Sequence, residues 1–272
     1  RNPRQARTVN VGGTANVVAA AAALPEPPLI VYASSAAVYG SRNPHRHPER
    51  ITAVTVVQPA DQYGEDKARA EKVLVASGLP YAILRLGGII SPDGAMNSDY
   101  LLLMRAMPGD NRMHTVDARD VALAFANAVD RGATVAGKVL LIGGDETHVH
   151  TNRELEDDMM QAAGLGRLGP AASLPGDPND DHGWGFTGWF DTTQSQAMLD
   201  FQRHDWQETV AWAAGDQVWV RRILRVLGPG LRPLLRLVFA TQRRVEKRGR
   251  YADPWSLIGR KYGPDVIAPT TY

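Results

Sequence analysis

Tyr63 and Lys67 stand four residues apart in Tyr63-Gly64-Glu65-Asp66-Lys67. On a helix, that spacing puts a phenol and an ammonium one turn apart on the same face. A tyrosine ionises near pH ~10, too high to exchange protons readily at neutrality. A neighbouring cation stabilises the phenolate, lowers that value and makes the group a usable general acid or base. Paired hydroxyls lie upstream, at the end of the apolar run Leu29-Ile30-Val31-Tyr32-Ala33-Ser34-Ser35. Beside the phenol, a serine there could hold a substrate oxygen while the proton moves. The same spacing on an exposed helix would be only a solvated face, so the surrounding elements must decide.

Residues 29–34 read as a strand buried on both faces of a parallel sheet, because they are almost continuously apolar. A helix is predicted from Asp61 to about Ala76, ended by Gly78. A second strand follows over Tyr81–Leu86, broken by Gly87-Gly88. Strand, helix and strand at this spacing predict a right-handed crossover of an open α/β sheet. Upstream, residues 8–23 are dense in Ala and Val and read as a helix stopped by Pro25, Pro27 and Pro28. Residues 41–59 are a polar loop.

Downstream, residues 87–97 read as loop and 100–107 as a short helix. A brief strand is expected at 114–116, then a helix over 117–130. Residues 138–142 are another buried strand, closed by Gly143-Gly144. Thr151 is an N-cap whose capping box Glu154 completes, for a helix ending near Gly164. Residues 165–200 are loop-rich and carry Trp184 and Trp189, and no internal repeat is present.

The composition is that of a globular chain: 272 residues, 44% hydrophobic and 22% charged. A formal charge of +1 argues against nucleic-acid binding. Absence of cysteine excludes disulfides and thiolate metal sites and fits a reducing, cytoplasmic setting. No apolar run is long enough to span a bilayer. His45 and His47, like His148 and His150, form His-x-His pairs, but no carboxylate spacing completes a ligand set. They read as solvated loop side chains, and no metal is expected.

The last quarter differs. Between residues 221 and 250 there are ten Arg or Lys residues and one acid, Glu246. Leu231, Leu234, Leu235, Val238 and Phe239 fall at helical spacing, interleaved with Arg232, Arg236 and Arg243. Such a basic amphipathic helix can lie on an anionic membrane through residues 216–250. The favoured reading is that its apolar face packs on the domain or on a second subunit of a homodimer, with the arginines snorkelling outside.

Taken in order, several segments resemble the extended short-chain dehydrogenases/reductases, the NAD-dependent epimerase/dehydratase group. Asn10-Val11-Gly12-Gly13-Thr14 is similar to the family's Asn-x-x-Gly-Thr helix. Ser34-Ser35-Ala36-Ala37-Val38-Tyr39-Gly40 resembles its serine strand and following Val-Tyr-Gly. Pro59, Tyr63 and Lys67 resemble Pro-x-x-x-Tyr-x-x-x-Lys, and Leu84-Arg85 through Pro92 resembles the next strand and loop. Val116-Asp117-Ala118-Arg119-Asp120-Val121-Ala122 is similar to a Val-x-x-x-Asp-Val-Ala helix start. The resemblance spans residues 8–205.

The resemblance implies a Rossmann-like, doubly wound parallel sheet and a cofactor, NAD or NADP. Ser35, Tyr63 and Lys67 would be catalytic, with Lys67 also on the nicotinamide ribose. Ala33, Ser34, Tyr63, Lys67 and the backbone of Leu86, Gly87, Gly88 and Ile89 would line the cofactor. Asn10, Ser35, Ala36 and Gly88 would line a small-molecule substrate carrying a secondary alcohol or ketone. Sugar-nucleotide enzymes of the group carry Asn where Gly88 stands, which opens the choice between a sugar nucleotide and a simpler ketone or sterol-like alcohol.

Domains are expected at 1–145 (the C-terminal part of the cofactor domain), 146–215 (a substrate-side subdomain) and 216–272 (the basic tail). The family's opening Gly-x-x-Gly-x-x-Gly turn is not matched: Gly12-Gly13 lies inside a helix and Gly143-Gly144-Asp145 lacks a third glycine. The chain is therefore expected to lack the glycine-rich N-terminal half, and the alternative to an enzyme is a non-catalytic remnant acting as a binding module. Without the pyrophosphate turn, dinucleotide affinity should be weaker by orders of magnitude. Titrating NADH and NADPH into the 272-residue chain checks this, and micromolar binding would refute it.

Overall fold

The computed structural model describes residues 3–92, 105–185, 188–215 and 218–267. Its strands, in chain order, are β1 (Ile30–Ser35), β2 (Tyr81–Leu86), β3 (Gly88–Ile90), β4 (Arg112–Asp117), β5 (Lys138–Ile142) and β6 (Val149–Thr151). β1, β2 and β5 form a parallel sheet in the order β1-β2-β5, with Ser35 opposite Leu86 and Leu86 opposite Ile142. In a smaller sheet β3 runs parallel to β4, and β6 pairs antiparallel with β4. The helices are α1 (Pro3–Arg7), α2 (Gly13–Ala22), α3 (Gln62–Ala76), α4 (Ala118–Asp130), α5 (Asn152–Ala162), α6 (Thr193–Leu199), α7 (Trp206–Ala213), α8 (Val218–Val245) and α9 (Pro254–Tyr262).

Local signals explain most boundaries. Asp61 caps α3 by accepting the Gly64 N–H at 2.8 Å, and Gly78 takes a φ of +70° just past its end. Thr151 and Glu154 form the reciprocal capping box that starts α5. Side chains alternate across the strands. Ala82, Leu84, Leu140 and Ile142 pack on Val121, Ala124 and Ala128 of α4. Leu141 turns the other way, toward Ala68 of α3.

That second interface also holds charge. Arg85 of β2 and Glu71 of α3 are both buried and pair in two places, Nε to Oε1 at 3.0 Å and a terminal nitrogen to Oε2 at 2.7 Å. Ser34 donates to the same Glu71 carboxylate. Arg85 also donates to the Tyr39 hydroxyl at 2.8 Å, which passes its own proton to the Thr52 carbonyl at 3.0 Å. Every polar group in this chain of contacts is satisfied, the condition under which buried charge is tolerated.

The structure departs from the sequence expectations in several places. The first helix begins at Pro3, not Thr8, and passes through a π-helical turn over Thr8–Gly12. β1 is not buried on both faces: it has one neighbour, and of its six residues only Ser34 is fully buried. Among the described residues, no strand covers its outer edge. β3 occupies part of the segment expected to be loop, because pairing with β4 stabilises three residues that local propensity would leave free. The helix expected over 100–107 falls largely on residues 93–104, outside those described.

The tail helix follows the favoured expectation only in part: Leu224 packs beside Gly164 and Gly228 beside Leu165, but the arginines do not all lie outside. Arginines of α8 face the domain: Arg236 donates to the Leu168 carbonyl at 2.8 Å and Arg243 to that of Ala171 at 2.7 Å. Arg105 lies over the Phe239 ring, 3.5 Å from its centroid. Meanwhile Leu234, Leu237 and Val238 are exposed. The loop between Gly164 and Ala171 offers uncommitted carbonyls, which guanidinium donors match better than leucines do.

Glu71→Gln should leave the Arg85 charge buried without its counter-ion and lower stability by about 3–5 kcal/mol. Glu71→Leu combined with Arg85→Met should cost clearly less than the single change. Urea denaturation of the three proteins checks this; equal costs would mean that the pair does not bridge α3 and β2 as described.

Candidate functional site

β1 delivers Ser35 to the carboxyl end of the parallel sheet, where the chain turns into a short 3₁₀ segment over Ala36–Tyr39. Ser35 caps that turn, its Oγ accepting the Ala37 N–H at 3.2 Å. The first turn of α3 presses directly on it. A Cβ at Gly64 would sit 2.3 Å from the Ala37 carbonyl oxygen, so only glycine permits the approach. This close contact sets Tyr63 beside Ser35, whose hydroxyl favours the phenolate. One turn on, Lys67 donates to the Ala33 carbonyl at 2.7 Å. Its ammonium lies 5.0 Å from the Tyr32 ring centroid and 5.9 Å from that of Tyr63.

The electrostatics differ from the simplest reading of Tyr-x-x-x-Lys. Desolvation pushes the Tyr63 phenol above its ordinary value, the Ser35 hydrogen bond pulls it down, and the Asp61 charge pushes it up again. Lys67 is itself lowered by desolvation and raised in part by Glu71. The lowering of Tyr63 expected from the ammonium is absent, because Lys67 is turned toward the strand carbonyl. Tyr32, beside Lys67, is pushed up to about 12, chiefly by burial. Asp61 is pushed up to about 6 by desolvation, against the hydrogen bond from Gly64.

Other expected site residues separate by strand parity. Ser34 points to the α3 interface with its hydroxyl on Glu71, so only its main chain remains for a ligand. Ala33 contributes its carbonyl to Lys67. Ala36 is buried, and Asn10 sits half-buried in the π-helical turn, its carbonyl accepting from Thr14. Leu86 ends its strand level with Ser35. Gly87 donates to the Ile142 carbonyl at 2.9 Å, and a Cβ there would meet the His114 carbonyl oxygen at 2.5 Å. An added Cβ at Gly88 would make ordinary contacts with Thr115 and the His114 carbonyl, at 3.6 and 3.8 Å; Ile89 is exposed.

Three groups of residues escaped the sequence reading. Glu71 continues the Tyr63–Lys67 face by one more turn, and Arg85 is a lone charge in an apolar strand, which together signal a buried pair. Tyr39 completes it. Asp117, at the N-cap of α4, accepts from Arg119 in three places and from the Thr209 hydroxyl at 2.9 Å. Asp120 accepts from the backbone of Arg203 and His204 and from the His204 ring. These two aspartates fasten the later chain to the sheet.

Three histidines, His114, His148 and His150, are structural and buried, whereas His45 and His47 are exposed as expected. His114 accepts the Phe190 N–H at Nδ1 (2.9 Å) and donates Nε2–H to the Gly144 carbonyl (3.0 Å), which requires a neutral ring. Burial pushes it down to about 4. His148 and His150, expected to be solvated, are buried: His148 reaches Asp145 and Thr209, and His150 lies 4.3 Å from the Trp206 ring. Burial pushes His150 down to about 4 as well. Among the described residues, no three His, Asp or Glu side chains converge on a metal position. Among the same residues, no helix is long and apolar enough to cross a membrane.

The histidines make a pH prediction. Their folded values lie below the unfolded value near ~6.5, so the unfolded chain binds more protons between about pH 4 and 6.5. Their stabilisation is complete above that window and lost as pH falls through it, by about 1.4 kcal/mol per pH unit for each ring. Asp61, raised to about 6 in the folded state, works in the opposite sense over most of the window, between about pH 4 and 6, and offsets one of the two rings there. The urea midpoint should fall from pH 6.5 to 4, and imidazole NMR should show His114 neutral down to about pH 4. A His114 that titrates near 6.5 would contradict the described contacts.

Comparisons with known proteins follow the same outline. The model of the NAD dependent epimerase/dehydratase family matches residues 1–143. No curated protein sequence matches the chain. Among solved structures, the Bacillus cereus UDP-glucuronic acid 4-epimerase in complex with UDP-glucuronic acid and NAD superposes with a TM-score of 0.60 at 15% identity, over 79% of this chain and 68% of that one. A short-chain dehydrogenase/reductase superfamily protein from Agrobacterium tumefaciens with bound NAD gives 0.60 at 21% identity, over 84% and 76%. The dTDP-glucose 4,6-dehydratase of Bacillus anthracis in complex with NAD gives 0.60 at 19%, over 76% and 67%. At these identities the likeness establishes the fold, a Rossmann-like α/β sheet.

Proposed function

The chain belongs to the NAD-dependent epimerase/dehydratase family, and from that premise we propose that it takes part in nicotinamide-dependent oxidation or reduction at a secondary alcohol or ketone. The observation that carries the reading is the placement of Tyr63 beside Ser35 at the strand end, with Lys67 one turn behind. Ser35 holds the substrate oxygen, and Tyr63 gives or takes its proton. Lys67 has three ammonium donors, of which the Ala33 carbonyl engages one. The remaining two suit a ribose diol, and rotation away from Ala33 would bring the charge nearer the phenolate as it forms.

The residues fit the nicotinamide-ribose end of a dinucleotide: Lys67, the two hydroxyls, and the strand-end backbone from Leu86 to Ile89, at the carboxyl edge where α/β sheets bind ligands. When bound, NAD or NADP supplies the hydride acceptor or donor. The solved relatives that hold UDP-glucuronic acid favour a sugar nucleotide as substrate class. Gly88 offers no side-chain amide to such a substrate, which favours, as a second reading, a simpler ketone or sterol-like alcohol. Residues 146–215 would form the substrate side, and 216–272 a separate tail.

Tyr63→Phe should lower turnover by about 10²–10⁴-fold while leaving cofactor affinity nearly unchanged, whereas Lys67→Ala should reduce both. Nicotinamide fluorescence and absorbance, with panels of UDP-sugars, dTDP-sugars and sterol-like ketones, reads the two effects separately. Full turnover in Tyr63→Phe would remove the catalytic assignment. Binding without turnover on any substrate class would favour the interaction-module alternative.

A further inference from the structure

α8 is 28 residues long, so it extends about 40 Å along the surface. It contains seven arginines and no acid. At 100° per residue, Trp219, Ile223, Val226, Leu234, Leu237 and Val238 fall within about 120° of its circumference. Every one of these side chains is exposed, from 49% for Ile223 and Val238 to 79% for Val226. The opposite side is held to the domain by Arg236 and Arg243 on the Leu168 and Ala171 carbonyls and by Phe239 under Arg105. The domain therefore holds the helix through these arginines together with Leu224, Gly228 and Phe239, and presents the apolar stripe outward. Arg222 and Arg244, both exposed, lie along one border of that stripe.

We propose that this stripe is a docking surface for an anionic lipid bilayer, on which α8 lies flat with its apolar side chains in the headgroup–acyl boundary and its border arginines on lipid phosphates. An apolar arc bordered by cations is what an interfacial helix requires. The seven arginines exclude the alternative of crossing the bilayer. Charge complementarity also decides against a second copy of the chain as occupant. An isologous pairing would bring Arg222 and Arg244 of two copies to the contact, with no acid on either helix to offset them. The surface is independent of the Ser35–Tyr63 site.

The test uses the full 272-residue chain with vesicles of phosphatidylcholine alone or of phosphatidylcholine and phosphatidylglycerol in about a 3:1 ratio. Co-sedimentation should occur with the anionic vesicles and fall at least tenfold at about 0.5 M salt, where the screening length shrinks to a few ångströms. Arg222→Ser and Arg244→Ser together should weaken binding by about 25-fold, each cation contributing about fivefold. Leu234→Glu with Leu237→Glu should abolish it; both residues are more than half exposed, and an unchanged circular dichroism spectrum and urea midpoint would show the fold intact. Vesicles should shift the tryptophan emission to the blue, and Trp219→Phe should remove the shift. The proposal is overturned by absence of binding to anionic vesicles at low salt, or by binding that survives the double glutamate change. A dimer in lipid-free solution that the same change dissociates would also overturn it, assigning the stripe to a second copy.

Discussion

Taking a guanidinium and a carboxylate out of water costs several kcal/mol per ion, and only near-complete hydrogen bonding recovers it. The Arg85–Glu71 pair meets that condition because Ser34, Tyr39 and the Thr52 carbonyl complete its contacts. The consequence is positional. Strand β1, the turn after Ser35, helix α3 and strand β2 each contribute one member, so none can slide without leaving a charge or hydroxyl unpaired. An apolar interface of the same area would tolerate a shift of an ångström; this one does not. The pair lies two turns along α3 from Tyr63, and the register of that helix against the strand end is what places Tyr63 and Lys67.

Within that frame, the closeness of Tyr63 to Ser35 depends on a missing Cβ. Gly64 lets the first turn of α3 rest on the Ala37 carbonyl, and Asp61 fixes where the helix starts. Arg7 joins in from α1, donating to Glu65 and Asp66 at 2.5 and 2.8 Å. The residues between Tyr63 and Lys67 are therefore structural: Gly64 for approach, Glu65 and Asp66 for anchoring. The resulting burial raises the phenol, so tight placement works against easy ionisation. The Ser35 hydrogen bond offsets part of that.

The later chain is tied to the same sheet by different chemistry. Asp117 and Asp120, in and just before the first turn of α4, accept hydrogen bonds from Arg119, Thr209, Arg203 and His204. Neutral His114 bridges the Gly144 carbonyl and the Phe190 amide from opposite ring nitrogens. Residues after 145 also supply β6 to the sheet of β4, and Leu199 and Phe201 to the core beneath α4. The region expected to be a separate subdomain shares hydrogen bonds and core with the cofactor-side sheet.

Elements governed by local signals were legible in the sequence. α3 has its Asp61 cap and terminal glycine, β2 and β5 have mostly apolar runs, and Thr151 has its capping box; all act within a few residues, where caps, φ preferences and side-chain periodicity operate. The spacing of Tyr63 and Lys67, and Ser35 at a strand end, followed from those elements. Tertiary structure decided what depends on neighbours distant in the chain. β1 looks buried by composition but is mostly half-buried, because β2 pairs one of its edges and no described strand pairs the other. β3 exists only through pairing with β4, and His148 and His150 are buried only because α7 brings Trp206 and Thr209 over them. The facing of α8 turned on which carbonyls the loop of residues 164–171 offered, and the direction of the Tyr63 shift on where Lys67 found an acceptor. A sequence states each residue's donors, charge and volume, but desolvation and hydrogen-bond partners belong to the three-dimensional surroundings, and those set the chemistry.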